Sequence, residues 1–326
     1  MRQVEISVVV PSHDRPQRLR SLLDALAAQS LPSGRWEAVV VSDDGPGPTE
    51  DVLRAHPLAA AGVLRHRLLA PGTGSAARMR NVGWRTARGR LIAFTDDDCR
   101  PHPDWLKRLL AVAAQGPDAI VQGRTRPDPA EAAILAGPAR AGTRDVKPPT
   151  PFGETCNIAY PRALLEALDG FHEGFALPFG EDMDLLLRAR RAGAALRAAP
   201  DAVVDHAVVR QTLGQRLRWS ARLEQMPLVA ARNPEARFCT GEPFRSFLVS
   251  QHAWLLLGAG GLALAPRRRA AALLALPWLR HAARRRRARA ARGATRLRVL
   301  GEAAVTDAVD LFHLARGSAR HRALWL

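Results

Sequence analysis

Short apolar runs alternate with amphipathic segments over the first two thirds of the chain. Residues 4–10 form a β-branched run that predicts a buried strand, and leucines from Leu19 to Leu26 then recur at helical spacing. Further strands are predicted at 39–41, 63–69, 91–95, 119–121, 155–159 and 203–204. Further helices are predicted at 49–55, within 72–86, and at 105–113, 161–168 and 181–192. This alternation predicts an α/β fold, with a doubly wound, mostly parallel sheet flanked by helices.

The remaining third of the chain has a different pattern and predicts a helical, basic region. We therefore expect two domains, residues 1–210 and residues 211–326. Within the second, residues 246–266 carry no Asp, Glu, Lys or Arg, and arginine clusters follow. Such a pattern is typical of a re-entrant or interfacial membrane hairpin with a cytoplasmic basic face, here about residues 246–280. An Ala/Leu-rich helical bundle with a solvated basic face is the alternative.

Charge and cysteine usage narrow the expected compartment and partners. The formal charge of the 326 residues is +17, and residues 266–326 contain fifteen arginines against three acids. A basic tail suits an anionic lipid surface or a nucleic acid. The three cysteines are far apart, and no signal-peptide pattern follows Met1. We therefore expect a cytoplasmic protein associated with the inner face of the plasma membrane.

Polar residues follow three of the predicted strands. They are the turn at 11–16, the segment 42–45 and the three carboxylates at 96–98. The carboxyl ends of parallel strands meet at one edge of a sheet, so these groups should converge. Three adjacent carboxylates repel one another unless a cation gathers them, and Mg²⁺ or Mn²⁺ prefers such oxygen ligands. A solvated acidic turn before the next helix is the alternative.

Five short motifs occur in order along about residues 4–210, and together they resemble family 2 glycosyltransferases of GT-A fold. They are Pro11-Ser12-His13-Asp14-Arg15-Pro16, Ser42-Asp43-Asp44-Gly45, Arg80-Asn81, Asp96-Asp97-Asp98, and Gly170-Phe171-His172-Glu173 followed by Glu181-Asp182-Met183-Asp184. The chain departs from the family pattern at three positions. His13 stands where tyrosine is usual, Asp14 where asparagine is usual, and Asp169 where a first glycine is usual.

The resemblance implies a metal-dependent enzyme whose donor is a UDP-, dTDP- or GDP-linked sugar. Asp44 would accept a hydrogen bond from the imide N–H of the base, and Asp96 would lie near the ribose or be reached through water. Arg80 would pair with a phosphate or hold the acidic edge together. Asp98 would bind the cation, with His206 as a second candidate ligand, although a lone histidine is often structural. The donor site implied by the family is completed by Pro11, His13, Arg15 and Asp97.

The resemblance also implies a catalytic base. Asp182 begins a helix and would deprotonate the acceptor hydroxyl, so that direct displacement inverts the anomeric centre. A helix cap or dipole partner is the alternative role for this side chain. Glu181 and Asp184 are expected to orient their neighbours.

The acceptor is expected to be a glycan or lipid-linked molecule of the cell envelope, and no nucleic-acid partner is expected. Gln215-x-x-Arg218-Trp219 matches a signature of processive polysaccharide synthases, but we favour an amphipathic helix near the acceptor site. Parts of the sequence also fit two other functions. Gly72-x-Gly74-x-x-Ala77 partly fits an NAD-linked oxidoreductase. The basic tail also fits a non-enzymatic lipid- or nucleic-acid-binding protein.

Overall fold

The computed structural model describes residues 4–137, 139–239, 249–290 and 296–325, and it divides into two compact units. The sheet unit comprises the residues up to Glu131 together with Thr143–Val208. The helical unit comprises Ala132–Gly142 and the residues from Val209 onward. Compactness alone does not show that either unit folds independently, so the domain division predicted after residue 210 stays a prediction.

Eight strands and seven α-helices build the sheet unit in its described residues. The strands are β1 (Ile6–Ser12), β2 (Trp36–Ser42), β3 (Leu64–Leu68), β4 (Leu91–Phe94), β5 (Cys99–Pro101), β6 (Ile120–Pro127), β8 (Ile158–Pro161) and β9 (Leu196–His206). The α-helices are α1 (Pro16–Ala27), α2 (Pro48–Ala55), α3 (Pro57–Ala60), α4 (Ala76–Thr86), α5 (Trp105–Ala113), α7 (Arg162–Ala167) and α8 (Glu181–Arg191), and Ser33–Arg35 and Pro129–Glu131 are short 3₁₀ turns.

The eight strands form one mixed sheet in the order β3-β2-β1-β4-β8-β6-β9-β5. The first four strands in this order are parallel, with Val9 of β1 opposite Val39 of β2 and Phe94 of β4. β8 runs antiparallel to β4 and β6, and β5 runs antiparallel to β9. The predicted α/β fold with a mostly parallel sheet flanked by helices is therefore confirmed.

The core explains why the apolar runs predicted the strands well. All seven residues of β1 are buried, because helices cover both faces of the parallel part of the sheet. On one face, α1 packs Leu19, Leu22, Leu23 and Leu26 against the even-numbered valines of β1. On the other face, α4 packs against Val9 and Val39, and α8 contributes Leu185 and Leu186 to the same apolar cluster. The carboxyl ends of β1, β2 and β4 consequently lie at the same edge of the sheet.

Several boundaries differ from the predictions. β8 begins at Ile158, three residues after the predicted start at 155, and β9 extends over 196–206, well beyond the predicted pair at 203–204. β5 has only three residues, and helix α3 only four, so neither produces a periodic signal. The β5 strand matters because its pairing with β9 places Cys99 opposite His206.

The helical unit contains one small sheet and a set of helices. Its described elements are α6 (Ala132–Ala136), β7 (Ala141–Gly142), β10 (Val209–Arg210), α9 (Leu213–Ser220), α10 (Met226–Arg232), α11 (Ser250–Leu264), α12 (Leu276–Ala290) and α13 (Arg296–His321), with 3₁₀ turns at Ala221–Gln225, Pro234–Phe238 and Arg269–Ala275. Among the described residues, none of the helices combines the length and the apolar character needed to cross a membrane. Residues 246–248 of the predicted membrane segment lie outside the described residues.

Two residues of the predicted Gln-x-x-Arg-Trp signature have local roles in this structure. Gln215 forms a capping box with Thr212 at the start of α9, so its amide serves the helix terminus. Trp219 lies beneath the guanidinium groups of Arg216 and Arg222. The predicted helix is present, while its nearness to an acceptor site stays a prediction.

Candidate active site

Asp97 fixes the turn that follows β1. Its carboxylate accepts hydrogen bonds from the Ser12 hydroxyl (3.0 Å), the His13 backbone N–H (3.3 Å) and the Arg15 guanidinium (3.2 Å). Burial raises the pKa of Asp97 to about 7, although Arg15 opposes that shift. Asp97 therefore connects the turn at residues 11–16 to the triple aspartate.

The end of β2 is joined to the same turn through Asp43 and Asp44. His13 Nδ1 lies 2.7 Å from Asp43 and 3.2 Å from Asp44, and the backbone N–H of Asp14 donates to both oxygens of Asp44. The Thr49 hydroxyl, from the first turn of α2, also donates to Asp44. Burial acts to raise the pKa of Asp44, but these hydrogen bonds outweigh it and lower the pKa, so the group is an ionised acceptor. The hydrogen bond to Asp43 raises the pKa of His13 despite partial burial.

Asp98 lies between the guanidinium group of Arg15 and the imidazole ring of His206. Its carboxylate is 2.9 Å from Arg15 and 3.6 Å from Nε2 of His206, and the Cys99 thiol lies within the same group. The Nδ1–H of His206 donates to the Ala207 carbonyl at 2.9 Å, so Nε2 is the ring nitrogen that faces Asp98.

The side chains around Asp98 include suitable ligands for a hard divalent cation. A carboxylate and a neutral imidazole are suitable ligands for Mn²⁺ or Mg²⁺, which keep further positions for water and phosphate. The Cys99 thiol is buried, and burial raises its pKa, so it remains a neutral thiol and a poor ligand for such a cation. Asp98 and His206 are therefore the side chains that could hold a metal ion here.

Arg80 joins the triple aspartate to the start of α8. The guanidinium donates to Asp96 at 3.0 Å and to Glu181 at 2.8 Å, and it lies over the Phe171 ring. Only 4% of Arg80 is exposed. Its two ion pairs hold Asp96 and Glu181 together, while the role toward a donor phosphate stays a prediction.

Asp182 follows Glu181 in the first turn of α8 but has a different environment. Glu181 is buried and paired with Arg80, and burial together with the neighbouring Asp182 raises its pKa. Asp182 is partly exposed, and its described hydrogen bonds are two long contacts from Thr155, at 3.3 and 3.4 Å. Asp182 is thus the carboxylate of this pair that solvent can reach, whereas Oε2 of Glu181 is buried without a hydrogen-bond partner among the described residues.

Asn81 anchors the loop that precedes α8. Its side chain donates to the Phe171 carbonyl and accepts from the Phe171 N–H, each at about 2.8–2.9 Å. A Cβ on Gly170, which has φ +66°, would lie 2.4 Å from the Asn81 oxygen. The Arg80-Asn81 pair therefore positions both the start of α8 and the loop before it.

The structure brings most of the predicted site residues to one edge of the sheet unit, which we call the acidic edge. Its members are His13, Arg15, Asp43, Asp44, Arg80, Asp96, Asp97, Asp98, Glu181, Asp182 and His206. Asp97 and its contacts form one group, Arg80 joins Asp96 to Glu181 in a second, and the backbone of residues 96–98 connects the two. Pro11 is buried inside β1 and pairs with Val41, so it supports the turn from within the strand. Sequence reasoning missed Ser12, Thr49 and Thr155, whose hydroxyls carried no signal before their carboxylate partners were known.

Solved structures of known proteins resemble this chain and indicate its class of protein. The chain resembles the solved mannosyltransferase PcManGT from Pyrobaculum calidifontis, in complex with GDP-Man and Mn²⁺, with TM-score 0.64 and 22% identity over 94% of this chain and 87% of that one. It also resembles residues 1–349 of Staphylococcus aureus TarS in complex with UDP-GlcNAc, with TM-score 0.54 and 18% identity over 98% and 93%. At these identities the likeness shows the fold, which is of GT-A type. Fold and sequence matches together place the chain among the glycosyltransferases.

The sequence profile described as "Glycosyl transferase family 2" matches residues 7–168, and the chain belongs to this family. The pre-mycofactocin glycosyltransferase of Mycobacterium tuberculosis (strain CDC 1551 / Oshkosh) is 29% identical over 218 residues, 62% of this chain and 42% of that protein. Glycosyltransferase AglE of Haloferax volcanii is 26% identical over 116 residues, 35% and 38% of the two chains. The chain thus spans about two fifths of the length of these curated relatives. Family membership sets aside the oxidoreductase and non-enzymatic alternatives.

Proposed function

We propose that the protein moves a sugar from a nucleoside-diphosphate donor to a hydroxyl acceptor, with a divalent cation and with inversion at the anomeric carbon. The observation that carries this proposal is the acidic edge itself. Hydrogen bonds and ion pairs link the end of β1, the end of β2, the triple aspartate and the start of α8. Groups suited to a base, a diphosphate and an acceptor hydroxyl are thereby held on one side of one sheet.

Asp44 and the turn after β1 are proposed to bind the nucleoside. An ionised carboxylate offers about four acceptor sites. Asp14, Thr49 and His13 approach Asp44 from the protein side, and a nucleobase imide N–H would use remaining capacity. His13 is 66% exposed and replaces the tyrosine usual in the family, so its ring is available to contact the base. UDP-, dTDP- and GDP-linked donors remain the candidates.

Asp98 and His206 are proposed to hold the cation, with Asp96 near the ribose. When bound, the cation would neutralise the diphosphate and stabilise its departure as a Lewis acid. Arg15 contacts Asp97 and Asp98 and supplies positive charge beside them. Arg80 is buried beneath Asp96, so its contribution is to hold that carboxylate in place rather than to reach the donor.

Asp182 is proposed as the general base. It combines partial exposure with weak contacts, whereas Glu181 is buried and paired. A carboxylate at a helix start facing the donor can take the proton from the acceptor hydroxyl as that oxygen attacks the anomeric carbon. One direct displacement inverts the configuration of that carbon.

The acceptor is proposed to be a lipid-linked or other cell-envelope glycan, reached at the inner face of the plasma membrane. Support comes from the apolar and arginine-rich composition of residues 249–290, which contain nine arginines and no Asp or Glu. A lipid-linked acceptor is available only to an enzyme that stays near the bilayer, so such a surface suits it.

A thermal-shift panel of UDP, dTDP and GDP sugars, with and without Mn²⁺, tests the donor and metal assignments. A nucleotide at 100 times its Kd should add about 2.7 kcal/mol of stability. Asp98→Asn should abolish the Mn²⁺-dependent part, and the exposed Asp118→Asn serves as a matched control on the opposite edge. If no nucleotide stabilises the protein, or if Asp98→Asn keeps the full Mn²⁺ response, the proposal is wrong.

The rate of sugar transfer separately tests the assignment of Asp182 as the general base. Asp182→Asn should bind the donor as wild type does and lose about 10²–10⁴-fold in rate. NMR of the product should show the anomeric configuration opposite to that of the donor. Full activity of Asp182→Asn, or retention of configuration, would remove Asp182 from this role.

A further inference from the structure

The helical unit contains a closely packed hairpin made by α11, the 3₁₀ turn Arg269–Ala275 and the start of α12. Its two arms meet through small residues. A Cβ on Gly258 would lie 3.2 Å from Ala275, and a Cβ on Gly261 would lie 2.4 Å from the Ala271 carbonyl oxygen. Glycine and alanine, together with Leu274 beside Gly261, form this contact, and most of the hairpin's other leucines remain exposed.

Eight of the hairpin's leucines are exposed. Between 39% and 62% of each side chain is accessible, and the set, which we call the leucine surface, is Leu256, Leu257, Leu262, Leu264, Leu273, Leu274, Leu276 and Leu279. Single exposed apolar residues are ordinary in soluble proteins and need no explanation. Eight leucines within one hairpin form a concentration of apolar area that marks an interaction surface.

The charge around the leucine surface points to the kind of partner. The exposed arginines described in the hairpin are Arg267, Arg268, Arg269, Arg280 and Arg284. None of these five forms an ion pair with a carboxylate in the described part of the chain. A partner must therefore offer an apolar interior and negative charge next to each other, which is the chemistry of an anionic phospholipid bilayer.

We propose that the leucine surface lies at the boundary between headgroups and acyl chains of an anionic bilayer, with the arginines on the lipid phosphates. The hairpin would lie in the interface without crossing it. The 15 residues of α11 span about 22 Å, less than the roughly 30 Å hydrocarbon core. A second copy of the chain would bring arginines against arginines, and a nucleic acid would leave the leucines in water. The inference rests on the membrane location proposed above, but not on the sugar-transfer chemistry.

Flotation of the full chain with vesicles tests the proposal. Wild type should float with vesicles of phosphatidylcholine and phosphatidylglycerol, and more weakly with phosphatidylcholine alone. Leu262→Gln/Leu273→Gln should weaken partitioning about twentyfold, whereas Val305→Gln/Leu324→Gln, which alters exposed apolar residues elsewhere in the helical unit, should not. Arg267→Gln/Arg268→Gln should remove most of the preference for anionic vesicles, while Arg20→Gln/Arg108→Gln on the sheet unit should keep it.

Each variant is also tested for stabilisation by UDP or GDP with Mn²⁺, which shows that the sheet unit is intact. The proposal is supported if the leucine variant no longer floats with the vesicles but is still stabilised by the nucleotide. Flotation without any nucleotide response would support this inference while removing the sugar-transfer proposal. The inference is overturned if wild type does not float with anionic vesicles, or if the leucine variant floats as well as wild type. It is also overturned if the leucine substitutions only dissolve a dimer, or if only arginine-dependent binding to RNA is found.

Discussion

Replacing Arg80 with glutamine would remove the one cation that Asp96 and Glu181 share in the described structure. Arg80 is 4% exposed, and its two ion pairs measure 3.0 and 2.8 Å. Asp96 keeps a partly exposed side chain that water can solvate, whereas Glu181 is buried and would lose its only ion-pair partner among the described residues. Most of the lost stability should therefore come from the unpaired, buried Glu181.

The expected loss follows from breaking a buried ion pair on one side, which costs about 3–5 kcal/mol when the remaining charge stays buried. The cost depends on pH because Glu181 can take up a proton. Burial already raises the pKa of Glu181 from 4.5 to about 7, and Arg80 acts to lower it, so the variant should raise it further. Above the unfolded value of 4.5 the folded state then binds more protons than the unfolded state, and stability falls as pH rises.

Urea unfolding followed by tryptophan fluorescence, at about pH 5.5 and pH 8, measures this effect. Arg80→Gln should lose about 3–5 kcal/mol at the higher pH and clearly less at the lower. Adding Glu181→Gln should recover much of the loss at pH 8, because no buried charge remains. Arg85→Gln, which breaks an exposed pair with Asp169, should cost under about 1 kcal/mol at either pH. Equal losses at both pH values, or no rescue by Glu181→Gln, would refute the reasoning.

Two further predictions concern stability. Gly170→Ala should cost more than about 2 kcal/mol in urea unfolding, because its Cβ would lie 2.4 Å from Asn81 and 2.5 Å from Trp84. Gly193→Ala shares a positive φ but has open space, so it should lose only about 1 kcal/mol of backbone strain, and equal losses would show that the close contact does not matter. Tyr160→Phe should leave the free energy of unfolding unchanged or raise it by about 1 kcal/mol, because the buried hydroxyl has no described hydrogen-bond partner. A loss of more than about 1 kcal/mol on thermal or urea unfolding would contradict that prediction.

The positions of the acids along the chain could be predicted because they depend on local signals. β1, β2 and β4 are short apolar runs in a sheet covered on both faces, so each strand ends where the polar residues begin. Parallel pairing then brings those ends together without further information. The convergence of Asp44 and Asp98 at one edge was predictable for this reason.

The partners of the acids could not be predicted, since they depend on side chains far apart in sequence. Asp97 was assigned to the donor site with its neighbours, yet it is buried and bonded to the turn after β1. Arg80 pairs with Glu181, which is 101 residues away in sequence, so no local pattern indicates this contact. β5 was missed because three residues have no measurable period, although its pairing places His206 near Asp98.

The charges of the acidic edge explain why a cation belongs in the proposed reaction. Seven carboxylates lie there against the two guanidinium groups of Arg15 and Arg80 in the described residues. Even with Asp97 and Glu181 protonated, five negative groups face two positive ones. A diphosphate at about 4 Å from one uncompensated carboxylate would be repelled by about 4 kcal/mol at an effective dielectric constant of 20. Without a cation, the acidic edge therefore repels the diphosphate that it is proposed to bind. The nucleobase is uncharged, so it is not repelled at Asp44. We therefore expect the cation to strengthen binding of the diphosphate part of the donor and to have no effect on binding of the nucleoside part.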